Sequence, residues 1–123
     1  MKNFTIEKIC ELPLDFKKSN KSTFLLAKES KFQEIYKEIT TKDISNYLSI
    51  HKDLLDRWEM WSQDKRTTGY WLSITNIYEI GNINPKGETI FKKTFSSAID
   101  ACSEYILREL GNILDIDVEA KIK

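Results

Sequence analysis

Apolar side chains recur along this chain at two different spacings, and the change from one to the other divides it. Leu54, Leu55, Trp58 and Trp61, with Ser62 beside it, fall three and four residues apart and so share one face of a helix. Asp56, Glu59 and Gln63 fall on the other face, and no Gly, Pro or β-branched residue interrupts 53–66. Thr67, Thr68 and Gly69 break that spacing. Residues 70–75 are then rich in the aromatic and branched types that suit a strand, and 77–80 form a second strand after a turn at Asn76. Residues 81–87 hold two glycines, two asparagines and Pro85, a connecting turn, after which 88–95 return as a third strand of an antiparallel meander.

On either side of this sheet the helical spacing resumes. Upstream, Phe4 and Ile6 alternate as in a strand, Pro13 ends any helix begun before it, and 15–21 read as a charged loop. Ser22 is placed to cap a helix reaching Ser30, with Phe24, Leu25 and Ala27 on its buried side. Phe32, Ile35, Tyr36 and Ile39 continue at helical steps. Thr40 and Asp43 form a capping box for a helix whose inner stripe is Ile44, Tyr47 and Leu48, and 51–53 make a joint before the tryptophan helix, with one continuous helix over 42–64 as the rival because no breaker is present. Downstream, Ser96 or Ser97 caps a long helix with Ile99, Cys102, Ile106, Leu110 and Ile113 on one stripe, widened by Ala98, Ala101 and Tyr105. Gly111 and Asn112 end or kink it, leaving a short strand or a frayed tail. The expected fold is α+β: N-terminal helices and a long C-terminal helix packed on a three-stranded antiparallel sheet. Trp58, Trp61, Trp71 and Cys102 are its expected core.

A chain of 123 residues fits one domain, with 1–21 and 115–123 as candidate periphery. Apolar residues make up 41% and charged ones 31%, too hydrophobic for a disordered chain and too polar for a membrane protein. Glu7, Lys8 and Glu11 stand where a signal peptide needs an apolar run, so a cytoplasmic protein with two free thiols, Cys10 and Cys102, is expected. Nineteen basic residues balance nineteen acidic ones, which removes any overall attraction to nucleic acid or anionic lipid. The balance is local: residues 96–119 carry six acids against Arg108 alone.

Candidate chemistry is sparse. His51 is the only histidine, and a lone histidine at a helix joint reads as a cap or surface residue. Two distant cysteines and one histidine lack the spacing of a zinc site, and no Gly-rich phosphate loop or nucleophile elbow occurs. No metal, cofactor or catalytic residue is therefore expected. Lys65 and Arg66 beside Tyr70 and Trp71 are ingredients for gripping a single nucleic-acid strand; the plainer account puts the two cations at the negative end of the tryptophan helix.

The run from Trp58 to Trp71, followed by Tyr-Glu-Ile-Gly at 78–81 and by 95–110, resembles small bacterial immunity proteins of polymorphic or contact-dependent growth-inhibition toxin systems. The likeness covers about 22–110. It rests on Trp-Ser-x-Asp-Lys-Arg at 61–66, Gly-x-Trp at 69–71 and Ala-Cys at 101–102, with Lys52 standing where the pattern has proline. What the resemblance implies is a non-enzymatic inhibitor of a cognate toxin domain, often a nuclease. An acidic surface would complement such a partner, and Asp56 and Glu59 on the tryptophan helix, or Asp100 and Glu104 on the last helix, are the candidates. The nucleic-acid module using Lys65, Arg66, Tyr70 and Trp71 is the alternative.

Overall fold

The computed structural model describes residues 1–64 and 69–122. Among them are seven α-helices and three strands. In chain order these are α1 (Lys2–Cys10), α2 (Leu12–Lys18), α3 (Thr23–Glu29), α4 (Phe32–Ile35), α5 (Thr41–Ile50), α6 (Asp53–Asp64), β1 (Gly69–Ser73), β2 (Glu79–Ile83), β3 (Thr89–Thr94) and α7 (Ala98–Leu114). Single 3₁₀ turns at Tyr36–Glu38 and Glu119–Lys121 complete the path. The fold is α+β, with the helices packed on an antiparallel sheet of order β1-β2-β3. No helix among the described residues is long and apolar enough to cross a membrane.

Helix α7 is the axis of the molecule. It runs between the sheet, where it meets β1 and β2, and a layer made of α1, α3 and α5. Every residue from Ala101 to Gly111 is buried, where a single apolar stripe is expected from the sequence. Enclosure on all sides obliges the polar members of α7 to find partners inside. The hydroxyls of Ser103 and Ser45 lie 2.8 Å apart, and Ser103 donates onward to the carbonyl of Ile99. Arg108 Nε donates to Glu104 at 3.0 Å, its other arm reaches Glu119, and its guanidinium lies 4.4 Å from the ring of Phe91. Burial alone would lower the pKa of Arg108; its bonds to Glu119 and Glu104 outweigh that and raise it.

The N-terminal segment belongs to the core. Ile9, Cys10 and Leu12 are 0–1% exposed, and Phe4 and Ile6 sit in a helix, not a strand. The helical spacing was hidden by Thr5, which is buried because its hydroxyl donates to the carbonyl of Ser30 at 2.7 Å. Pro13 opens α2, where its missing N–H costs nothing, so the expected loop shrinks to three residues. Ser22 caps α3 as expected, accepting the N–H of Leu25. The buried pair there is Leu26 and Ala27, whereas Phe24 and Leu25 remain 54% and 43% exposed. Thr40 and Asp43 complete their capping box, and α5 gives way to α6 at His51.

The sheet departs from expectation by a few residues. Strand β2 starts at Glu79 and carries Gly81 inside it, so the connecting turn is confined to 84–87. There Asn84 accepts the N–H groups of Lys86 and Glu88, and Gly87 takes a φ of 84°. At the other end α7 continues through Gly111 to Leu114 and stops at Asp115, whose φ of 57° is the left-handed cap. Gly111 serves the returning tail instead: a Cβ there would stand 2.7 Å from the carbonyl oxygen of Ile116. The tail is neither strand nor frayed, because Val118 is buried against that gap.

Candidate functional site

Helix α6 is fastened along its inner side by hydrogen bonds from four side chains that lie within five residues, 58–62. Trp58 Nε1 donates to the carbonyl of Cys10 at 2.8 Å and Trp61 Nε1 to Glu109 at 2.9 Å. Ser62 Oγ accepts the N–H of Leu72 at 2.7 Å, and Glu59 accepts the N–H of Ile74 at 2.7 Å together with the hydroxyl of Thr75. Leu72 and Ile74 are two residues apart on the edge of the sheet, so α6 closes an edge that would otherwise offer free donors. Three separate parts of the chain thus hold one helix in place. Its outward residues, Asp53, Asp56, Arg57, Met60, Gln63 and Asp64, are presented on a fixed backbone.

Beside that outward face lies a cleft of about 290 Å³ between α2 and α6. Pro13, Phe16, Met60 and Trp61 give it apolar walls, and Lys17, Arg57 and Asp64 stand around it with Thr23 of α3. The rings of Phe16 and Trp61 meet edge to face at 5.4 Å, and Trp61 is braced in the same manner by the fully buried Trp58. Such contacts, with the bond to Glu109, leave the indole little freedom. Met60 is 51% and Phe16 43% exposed. Neither Lys17 nor Arg57 is ion-paired to a described residue.

The residues expected to meet a partner have divergent places. Asp56 and Asp100 are exposed. Glu104, expected on the outward face of the last helix, is only 4% exposed and accepts from Lys93 at 2.7 Å as well as from Arg108. Glu59 is half-buried and engaged with the edge of β1, so of the acidic pair anticipated on α6 Asp56 alone faces outward, joined there by Asp53 and Asp64, which were not anticipated. The tryptophans also separate. Trp58 is core, Trp61 is a wall of the cleft, and Trp71 lies on the opposite face of the sheet from the helices, over Gly81. Tyr70 turns inward to Phe91 and Arg108, so Tyr70 and Trp71 cannot serve one stacking platform. Lys65 and Arg66, with the helix break expected at Thr67 and Thr68, lie outside the described residues.

His51 caps α5 and stacks on Tyr47 with ring centroids 4.2 Å apart. Cys10 and Cys102 are free and buried, and burial pushes both thiols far above the ordinary cysteine value. No cluster of three metal-ligating side chains occurs among the described residues. The cleft itself escaped the sequence because Phe16 and Lys17 fall in a stretch read as loop. Its one visible signal was Met60, an apolar side chain off the buried stripe and next to Arg57 and Trp61 in space.

Comparison with known protein families, with curated proteins and with solved structures finds no match for this chain.

Proposed function

We propose that this protein is an inhibitor of the bacterial immunity type, which binds a toxin domain and neutralises it without chemistry of its own. The observation that carries the reading is the fastening of α6: Trp58, Glu59, Trp61 and Ser62 all hydrogen-bond away from the outward face, which is thereby presented rigid. Pre-organised surfaces bind tightly because little freedom is lost on association. Exposed Asp53, Asp56 and Asp100 suit a partner with a cationic cleft, such as a nuclease. The resemblance of 58–71 and 95–110 to immunity proteins points the same way.

The test is protection. If a neighbouring reading frame encodes a toxin-like product, cells expressing that product should survive when this chain is co-expressed, and the two proteins should co-purify as a one-to-one complex. Death of the co-expressing cells, with no complex, would remove the reading.

A further inference from the structure

We propose that the cleft between α2 and α6 is the anchor pocket of the partner surface, taking a large apolar side chain of the partner protein that has a carboxylate beside it. This rests on the inhibitory-binding reading above and adds to it the chemistry of the contact. Three observations select that occupant. Size comes first: about 290 Å³ is at the lower limit of pockets that enclose a whole ligand, and is ample for one aromatic or long aliphatic side chain.

The apolar surface also extends past the cleft. Phe16 and Met60 are about half exposed at its mouth, and Thr23, which lines it, is followed on α3 by exposed Phe24 and Leu25. A small molecule filling the cleft would leave that rim wet, whereas a protein segment laid across it would cover both. Charge selects the neighbour of the anchor. Lys17 and Arg57 stand at the cleft without ion partners among the described residues, so the complementary group is an anion, with Asp64 disfavouring a second one. The aromatic wall is ready before binding, because Trp61 is held by Glu109 and braced by Phe16 and Trp58. Central, pre-formed aromatic pockets of this kind concentrate the binding energy of interfaces.

The probes are three blocked dipeptides, acetyl-Phe-Asp-amide, acetyl-Phe-Asn-amide and acetyl-Phe-Lys-amide, titrated into the full chain and followed on its indole N–H signals by NMR. The signal of Trp61 should shift saturably with the Asp peptide, while those of Trp58 and Trp71 stay in place. The Asn peptide should bind about two- to fivefold more weakly and the Lys peptide more weakly still. Arg57→Glu should invert that order, and Lys17→Glu, on the other helix, gives the same readout should the first variant lose its dispersed spectrum. No shift of Trp61 with any peptide, or a shift indifferent to the charge of the second residue in wild type and variants alike, would overturn the proposal. No toxin enters this experiment, so its failure removes the cleft and leaves the protection assay to judge the inhibitor.

Discussion

The indole of Trp71 lies across Gly81 so closely that a methyl group at residue 81 would stand 2.3 Å from ring carbon Cζ2. The two residues are direct cross-strand partners on the face of the sheet that the helices do not cover. Gly81→Ala should therefore expel the ring from its seat and destabilise the fold by about 1 to 3 kcal/mol, the usual cost of overpacking. The expected signature is a red shift of tryptophan emission. In the Trp71→Ala background the same glycine substitution should cost much less, and equal costs in both backgrounds would contradict the contact.

Ser62 and Glu59 close the edge of β1 from the side of α6. Ser62→Ala leaves the N–H of Leu72 buried without its acceptor, which should cost about 1 to 3 kcal/mol. Amide hydrogen exchange at Leu72 and Ile74 reads the loss directly. Faster exchange at Leu72 in Ser62→Ala, and at Ile74 in Glu59→Ala, is expected, with β3 unchanged in both.

Glu104 and Asp100 sit one helical turn apart on α7 and should behave oppositely. Removing the carboxylate of Glu104 takes away the Nε partner of the buried Arg108, which keeps Glu119, and the partner of Lys93, so Glu104→Ala should lower stability by about 1.5 to 3 kcal/mol in a denaturant titration. Asp100→Ala, at the exposed first turn, should cost only about 0.3 to 1 kcal/mol. A partner contact role for Glu104 with little effect on folding would contradict its placement inside.

Asp43 supplies a pH signature. Its partial burial favours the neutral carboxyl, but the backbone N–H of Thr40 and then the ammonium of Lys2 outweigh this and hold the folded pKa below the ordinary aspartate value. A depressed pKa stabilises the fold above the unfolded value, near pH 4, and the contribution is lost as pH falls through the folded pKa. Asp43→Asn should thus reduce stability at neutral pH and narrow its difference from wild type in acid. A difference that stays constant from pH 7 to about pH 2 would contradict the assignment.

Spacing rules exposed most of this architecture in advance, and the places where they stopped share a cause. The capping box at Thr40 and Asp43, the cap at Ser22, the joint at His51 and the long last helix are local features, written within a few residues of one another. What escaped depends on contacts between distant segments. Thr5 is buried by the carbonyl of Ser30, Gly81 belongs to a strand because Trp71 lies on it, and Glu104 faces inward because β3 brings Lys93 to it. The same holds for the cleft, since no spacing rule brings Phe16 and Lys17 of α2 beside Arg57 and Met60 of α6. Contacts between distant segments, not propensity, decided which of the anticipated residues lie at the surface.

The most direct trial of the account is calorimetric titration of the purified chain with a toxin-like domain taken from its gene neighbourhood, repeated with Met60→Lys and with Lys92→Glu on β3. A one-to-one complex is expected, weakened about tenfold or more by Met60→Lys and left unchanged by Lys92→Glu. Absence of a complex, or a loss of affinity confined to Lys92→Glu, would contradict it.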